Sequence, residues 1–331
     1  MTRSNSVTHF LDLKYPIVQA PTGTIAREDL AVAVSNAGGL GAMGLTWDTP
    51  ESAYDRVKAV AGKVGENLFY VNYVLHFEPT SLEASLKAGA PIVQFSYGIP
   101  SESVIKSIKD HDARFGIQVT NRESAARALE VAPDYLVCQG LEAGGHVQAR
   151  LSLTEALAEV LQVSNGTPVL ASGGIGDGEA IWSVVNQGAS AAVLGSRFVA
   201  TRESQAHDEY KEALVAAKSN DAVYSICFSD GWDNAPHRVL SNETYRRWVA
   251  EGCPARGSRP NEGDIMARNI ATGAEIKRYD RSAPNLHLQG RATEMAMYAG
   301  TGVDRIKDIP SAGELVIRLG QEYEACRQEG E

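Results

Sequence analysis

Two glycine-marked turns in this chain carry the residue types needed to hold a phosphate. One is Ser172-Gly173-Gly174 in ASGGIGDGEA and the other is Gly195-Ser196 in LGSRFVATRES. Each closes a short apolar run and opens a stretch of helical periodicity. Glycine lacks the Cβ that bars close approach of a backbone, and the N–H groups at a helix start favour an anion. Ser172 and Ser196 add hydroxyl donors. One such turn alone reads best as an ordinary tight turn, but two on consecutive strand ends favour the phosphate. Asp177 reads as the N-cap of a helix over 178–187 rather than as a ligand.

A second feature is His146, which ends the glycine-rich run QGLEAGGH. Imidazole is the side chain whose ordinary pKa suits proton transfer near neutrality, and the preceding Gly144-Gly145 lets the loop fold tightly over a ligand. A lone loop histidine is usually just solvated; the glycines tip this one toward catalysis. His9, His76, His111, His207 and His287 lack that setting and read as surface or packing residues. His237, beside Arg238, stays open.

Elements to position these residues are visible from Pro16 onward, where short β-rich runs alternate with helical stretches such as 27–36, 52–64 and 122–131. Eight runs read as strands, at 16–20, 40–43, 68–74, 92–96, 114–119, 135–139, 168–172 and 191–194. Most are apolar on both faces, as burial on both sides requires. Eight strand–helix repeats point to an α/β fold, a (β/α)8 TIM barrel, whose last two loops often build a phosphate site at the C-terminal face. An open doubly wound sheet is the rival, but the turn Ala20-Pro21-Thr22-Gly23-Thr24 lacks the GxGxxG arrangement such folds place there. The expected organisation is a barrel over 1–203 and a mostly helical lobe over 204–331 packed across the barrel mouth. Helices are expected at 204–217, 293–299 and 312–327, around an irregular stretch that includes CPARGSRPNEGD.

Bulk properties narrow the partners. With 331 residues, 44% hydrophobic and 22% charged, the chain can bury a sizeable core. Its formal net charge of -10 disfavours nucleic acid and anionic membranes, which reward basic patches, and leaves a small-molecule substrate. Cys138, Cys227, Cys253 and Cys326 show no CxxC spacing, so neither a disulfide framework nor a metal site is indicated. No apolar run has signal-peptide or membrane-span length, and a reducing cytoplasm is the default expectation. A homodimer stays open.

At these residues the chain resembles the nitronate monooxygenase family, formerly called 2-nitropropane dioxygenases. The likeness rests on PIVQAPTG, NAGGLGAMG, YVNYVL, QGLEAGGH, ASGGIGDG and LGSRF occurring in that order. The resemblance implies an FMN-dependent barrel oxidising nitronates or nitroalkanes with O2 to a carbonyl compound and nitrite. It implies that Ala20, Pro21 and Thr22 lie against the flavin ring and that Asn72 and Gln118 bond its polar edge or ribityl chain. Gly173, Gly174, Gly195 and Ser196 would hold the phosphate and His146 would be catalytic. The chain departs from the family pattern at Thr22, where Met is common, at Gln118, where some members have Lys, and after His146, where Val147-Gln148 follows. GWDNAPHRVLSN and MAMYAGTG look like one branch of these flavoproteins.

Further residues belong to the expected cofactor site or substrate pocket. Gln139 and Gly145 sit beside the flavin in this reading, and Glu142 either orients His146, bonds the ribityl chain or makes a salt bridge within its loop. Tyr97, Trp232, Tyr298 and Gly300 are candidate pocket walls, each weighed against plain packing. Cys138 raises the chemistry of the inosine monophosphate dehydrogenase type, with its loop cysteine nucleophile, but a position inside strand 135–139 reads as a buried structural thiol. An NAD(P)H-dependent flavin reductase acting on a quinone or an enoyl thioester is the alternative enzyme, and a flavin-binding protein without turnover is the third reading.

Overall fold

The structure is a computed structural model that describes residue 11 and residues 13–330. His9 lies outside the described residues. Eight parallel strands form the centre: β1 (Ile17–Gln19), β2 (Gly41–Gly44), β3 (Phe69–Val74), β4 (Ile92–Ser96), β5 (Arg114–Val119), β6 (Tyr135–Gln139), β8 (Val169–Ser172) and β9 (Ala191–Leu194). Their order, β1-β9-β8-β6-β5-β4-β3-β2, is closed by a parallel bridge between Val18 and Leu40. The β7 strand (Gly145–His146) stands outside this sheet. The expected (β/α)8 barrel is therefore present, with β4, β5, β6 and β9 spanning the residues expected of them.

Helices α1 (Glu28–Asn36), α2 (Pro50–Val64), α3 (Leu82–Lys87), α4 (Glu102–Asp110), α5 (Arg122–Leu129), α6 (Leu153–Leu161) and α7 (Gly178–Asn186) alternate with the strands. Five of these starts are set by side chains that satisfy free N–H groups, while α1 and α3 have no side-chain cap. Thr49 accepts from Ser52 N ahead of Pro50, and Asn121 with Ser124 and Ser152 with Glu155 form capping boxes. Asp177 caps α7 by accepting from Ala180 N, as its sequence position implies.

Two apolar layers follow from strands buried on both sides. Leu30, Val57, Phe95, Ile108 and Val160 belong to the outer one, between strands and helices. Val18, Tyr70, Tyr135, Val137 and Leu170 fill the inner one. The inner layer is tightly fitted. Gln19 Nε2 donates to Ala42 O and Gln19 Oε1 accepts from Ala42 N, which fastens β1 to β2 where the barrel closes. Tyr70 donates to Gln19 O.

Beyond the short α8 (Ser196–Val199) the chain forms α9 (Asp208–Ala216), α10 (Glu243–Ala250) and α11 (Ala312–Gly330). Of these, α9 and α11 lie where helices were expected and α10 does not; beside them stand two antiparallel sheets that the sequence does not announce. One joins β10 (Ala222–Ser225) and β11 (His237–Leu240) to β7, and the other joins β12 (Ile265–Asn269), β13 (Glu275–Lys277) and β14 (Leu288–Gly290). The helix expected at 293–299 is replaced by one 3-10 turn, Ala292–Glu294, and an extended run. Leu240 N there donates to Met297 O, and Val239 bridges Tyr298, so sheet edge bonds outweigh the helical pattern of MAMYA. Helix α11 returns to the barrel and packs on α7 and α1.

Gly116 tests the inner packing, because a Cβ there would lie 2.2 Å from Cζ of Tyr135. Gly116→Ala is expected to lose about 1–3 kcal/mol through overpacking, read as a lower urea midpoint; an unchanged midpoint would show that the ring has room to move.

Candidate active site

The C-terminal ends of the barrel strands surround a cavity of ≈ 820 Å³ whose far wall is built by the lobe. That volume is at the upper end of what ligand sites occupy. The floor is the expected glycine cup. Gly173 has φ +135° and Gly174 φ +68°, conformations that side chains rarely adopt. Gly195 faces the cavity, and a Cβ there would stand no closer than 3.6 Å to protein, at Ala20 Cβ, so a side chain would project into the cavity. Backbone at two glycine turns, with Ser172 and Ser196 beside them, is a donor set that suits a phosphate.

A third wall closes on this cup from the lobe. Gly300 N donates to Ser196 Oγ at 2.9 Å, and Thr301 N donates to Glu142 O. A Cβ on Gly302 would come within 2.1 Å of Gly174 O, so glycine is required for the contact. Arg197, almost wholly buried, secures the segment by donating twice to Asp308 O at 3.1 and 3.2 Å and once to Asp308 Oδ1 at 3.0 Å. Burial draws its guanidinium down to about 10.

His146 stands over this floor. Its ring stacks on Trp232 with centroids 4.3 Å apart and lies 5.6 Å from Tyr298 and 5.7 Å from His237. Nε2 is buried without a hydrogen-bond partner. Burial, then His237, then Arg281 bring the imidazole from 6.5 to about 3, so it is neutral at ordinary pH. Tyr97 meets Trp232 edge-on with centroids 4.6 Å apart. Its backbone is left-handed at φ +61°, a strained setting for a tyrosine directly after β4, and its hydroxyl is also buried and unpartnered.

Carboxamides line the remaining wall. Gln139 donates to His146 O at 3.2 Å and accepts from Gln148 N at 2.9 Å, while Gln148 Oε1 accepts from Gln118 Nε2 at 2.8 Å and Tyr97 N at 3.3 Å. Asn72 and Gln94 lie side by side at 3.4 Å, and Gln94 Oε1 has no partner. On the lobe side, Arg281 lies over Trp47 at 4.7 Å and over Phe77 at 5.6 Å. Tyr298 donates to its carbonyl oxygen at 2.7 Å.

The structure thus gathers Ala20, Pro21, Thr22, Asn72, Gln118, Gln139, Gly145, His146, Ser172, Gly173, Gly174, Gly195, Ser196, Tyr97, Trp232, Tyr298 and Gly300 around one cavity. Glu142 is not on its wall. Its carboxylate accepts from Leu153 N at 2.8 Å, at the start of α6, so it is engaged with the backbone. Cys138 is fully buried, and burial pushes its thiol up to about 12, which suits a packing role. Among the described residues no group of three or more His, Cys, Asp or Glu is placed to hold a metal ion, and no helix is long and apolar enough to cross a membrane.

Comparison with known proteins fits this geometry. The family described as "Nitronate monooxygenase" matches residues 4–78 and 64–322. The chain belongs to the nitronate monooxygenase family. It is an oxidoreductase. A nitronate monooxygenase of Paraburkholderia phytofirmans is 30% identical over 369 residues, covering 97% of this chain and 95% of the relative. One from Pseudomonas aeruginosa is 28% identical over 362 residues, covering 95% and 98%. Among solved structures, a nitroalkane oxidase from Streptomyces ansochromogenes superposes with a TM-score of 0.79 at 26% identity, covering 99% of this chain and 100% of the other. FabK from Thermotoga maritima superposes with a TM-score of 0.82 at 23% identity, over 99% and 98%, a likeness of fold.

In this nitronate monooxygenase family member the sequence reading did not single out Gln94, Gln148 or Arg281. Gln94 was visible as the polar residue inside an apolar strand, IVQFS, a signal that a buried amide needs a partner. Gln148 and Arg281 gain their positions only through tertiary contacts.

Burial also lowers His237, from 6.5 to about 4, against the raising effect of the Ala235 backbone. Both folded-state values lie below the unfolded one, so the stability linked to them is intact above about pH 6.5 and drains as pH falls toward 4 and then 3. Urea midpoints measured between about pH 7.5 and about pH 4.5 should fall less steeply for His146→Asn than for the unaltered protein; parallel curves would contradict a neutral buried imidazole.

Proposed function

We propose that this protein is an FMN-dependent nitronate monooxygenase that oxidises nitronates or nitroalkanes with O2 to a carbonyl compound and nitrite. The observation that carries the reading is the buried, unpartnered Nε2 of His146 above a glycine cup suited to phosphate. Gly173, Gly174, Gly195 and Ser196 would hold the FMN phosphate. Ala20, Pro21 and Thr22 would lie against the ring, with Asn72, Gln118 and Gln139 on its polar side. Bound there, FMN supplies the two-electron chemistry and the passage of electrons to O2.

The rest falls to the chain. His146 is neutral at ordinary pH and its Nε2 has no partner, so that nitrogen is free to take the α-proton of a neutral nitroalkane, whereas no imidazolium is there to hold an anion. Gln139 holds the loop by bonding the His146 carbonyl oxygen, and Trp232 and Tyr97 keep water from the ring. The dry surroundings strengthen every polar contact a substrate makes.

A second reading, reduction of a quinone or enoyl thioester by NAD(P)H, draws on the width of the cavity. It runs past His146 to a mixed-charge rim of Arg256, Lys277 and Arg281 beside Asp230, Glu275 and Asp280, which leaves room for a long reactant.

His146→Ala is expected to keep FMN and its visible spectrum while nitroalkane turnover falls by about 10²–10⁴-fold, the usual worth of a general base. Steady-state oxygen uptake measures this, and an unaltered rate would remove His146 from the chemistry.

A further inference from the structure

His237 takes no part in the proposed chemistry, yet both of its ring nitrogens are committed. Nε2 accepts from Phe228 N at 3.2 Å, and Nδ1 pairs with Ala235 O at 3.0 Å. The two bonds require the proton on Nδ1. Phe228 and Ala235 are the two ends of the loop that carries Trp232, so one imidazole ties that loop's start to its finish. Gly231 at φ +92° and Asn234 at φ +56° make the turn possible between them.

The same residue is fixed to the catalytic loop. His237 pairs with His146 across the antiparallel β11–β7 ladder, and on one side of it Val147 N donates to Pro236 O at 2.9 Å. On the other side Arg238 Nη2 donates to Leu141 O at 2.8 Å. The ring itself is completely buried. GWDNAPHR is thereby accounted for as one device.

We propose that His237 is a positioning residue: its ring closes the Trp232 loop and so holds the indole flat against His146. Its effect on the reaction passes through Trp232, whose ring lies 23° from the plane of His146 and also stacks on His76 at 5.2 Å. The inference rests on the assignment of His146 as the base, but its structural half can be tested apart from it.

The test uses the FMN-loaded full chain with His237→Phe, which fills the space without either bond, and His237→Gln, whose amide oxygen can reach toward the Phe228 N–H. Hydrogen–deuterium exchange is followed over residues 228–237 and over the barrel strands. Kinetics with 2-nitropropane, a neutral nitroalkane that still carries its α-proton, are run alongside. The expected result for His237→Phe is faster exchange in 228–235 with the strands unchanged, and a kcat lower by about tenfold or more with KM within about twofold, since the base is misplaced and not the binding floor. His237→Gln should restore protection at Phe228 and most of kcat. Unchanged exchange in His237→Phe, or a loss shared by the barrel strands, would overturn the proposal. Should His237→Phe fail to fold, His237→Gln and His237→Asn replace it. Each keeps one of the two bonds, so exchange should rise at opposite ends of the loop, and equal exchange at both ends would overturn the proposal. Should the unaltered enzyme not turn over the nitroalkane while the exchange pattern holds, the functional reading fails and the clamp stands.

Discussion

The site depends on one backbone pairing, β11 against β7, in which His237 lies opposite His146. A barrel alone offers strand ends and loops, and loops are mobile unless something covers them. Here the loop after β6 is too short of apolar residues to fix itself; Ala143, Val147 and Ala149 make only a small cluster with Leu141. The lobe supplies the missing order by adding a strand to the loop. Once that strand is seated, Arg238 reaches Leu141 O, Pro236 O takes Val147 N, and Trp232 comes down on His146.

The glycine cup obeys a different constraint, close approach of backbones. Gly144 meets Gly300 N, and Gly302 meets Gly174 O, at distances no Cβ would survive. Glycines spread over three segments of the sequence are thus one contact surface. Arg197 and Arg318 pin Asp308 and keep the third segment in place. A cofactor held by such a cup is gripped mainly by backbone, which explains why small residues and not cations mark it in the sequence.

Much of the barrel was legible because its strands are buried on both faces and bounded by turns; β4, β5, β6 and β9 could be read to the residue. The two glycine turns were legible for the same reason, since they stand where those runs end, and His146 was marked by the two glycines before it. The lobe was not. Its strands are short, β13 is mostly exposed, and MAMYA follows a helical pattern while its backbone bonds to β11. Glu142 was ambiguous because a carboxylate beside a ligand and one that serves a helix start look alike in sequence; in the fold its carboxylate accepts from Leu153 N. Gln148 carried no signal, since its partners Gln118, on β5, and Tyr97, just after β4, are distant in sequence.

The most direct measurement is anaerobic bleaching of the visible flavin spectrum of the purified protein, with propane-2-nitronate in one cuvette and NADPH or NADH in another. Rapid loss of colour with the nitronate, and a far slower response to either nicotinamide, is the expected result. Rapid bleaching by a nicotinamide with none by the nitronate would contradict the account and make the protein a reductase. A preparation that binds no flavin at all would overturn the reading of the glycine cup itself.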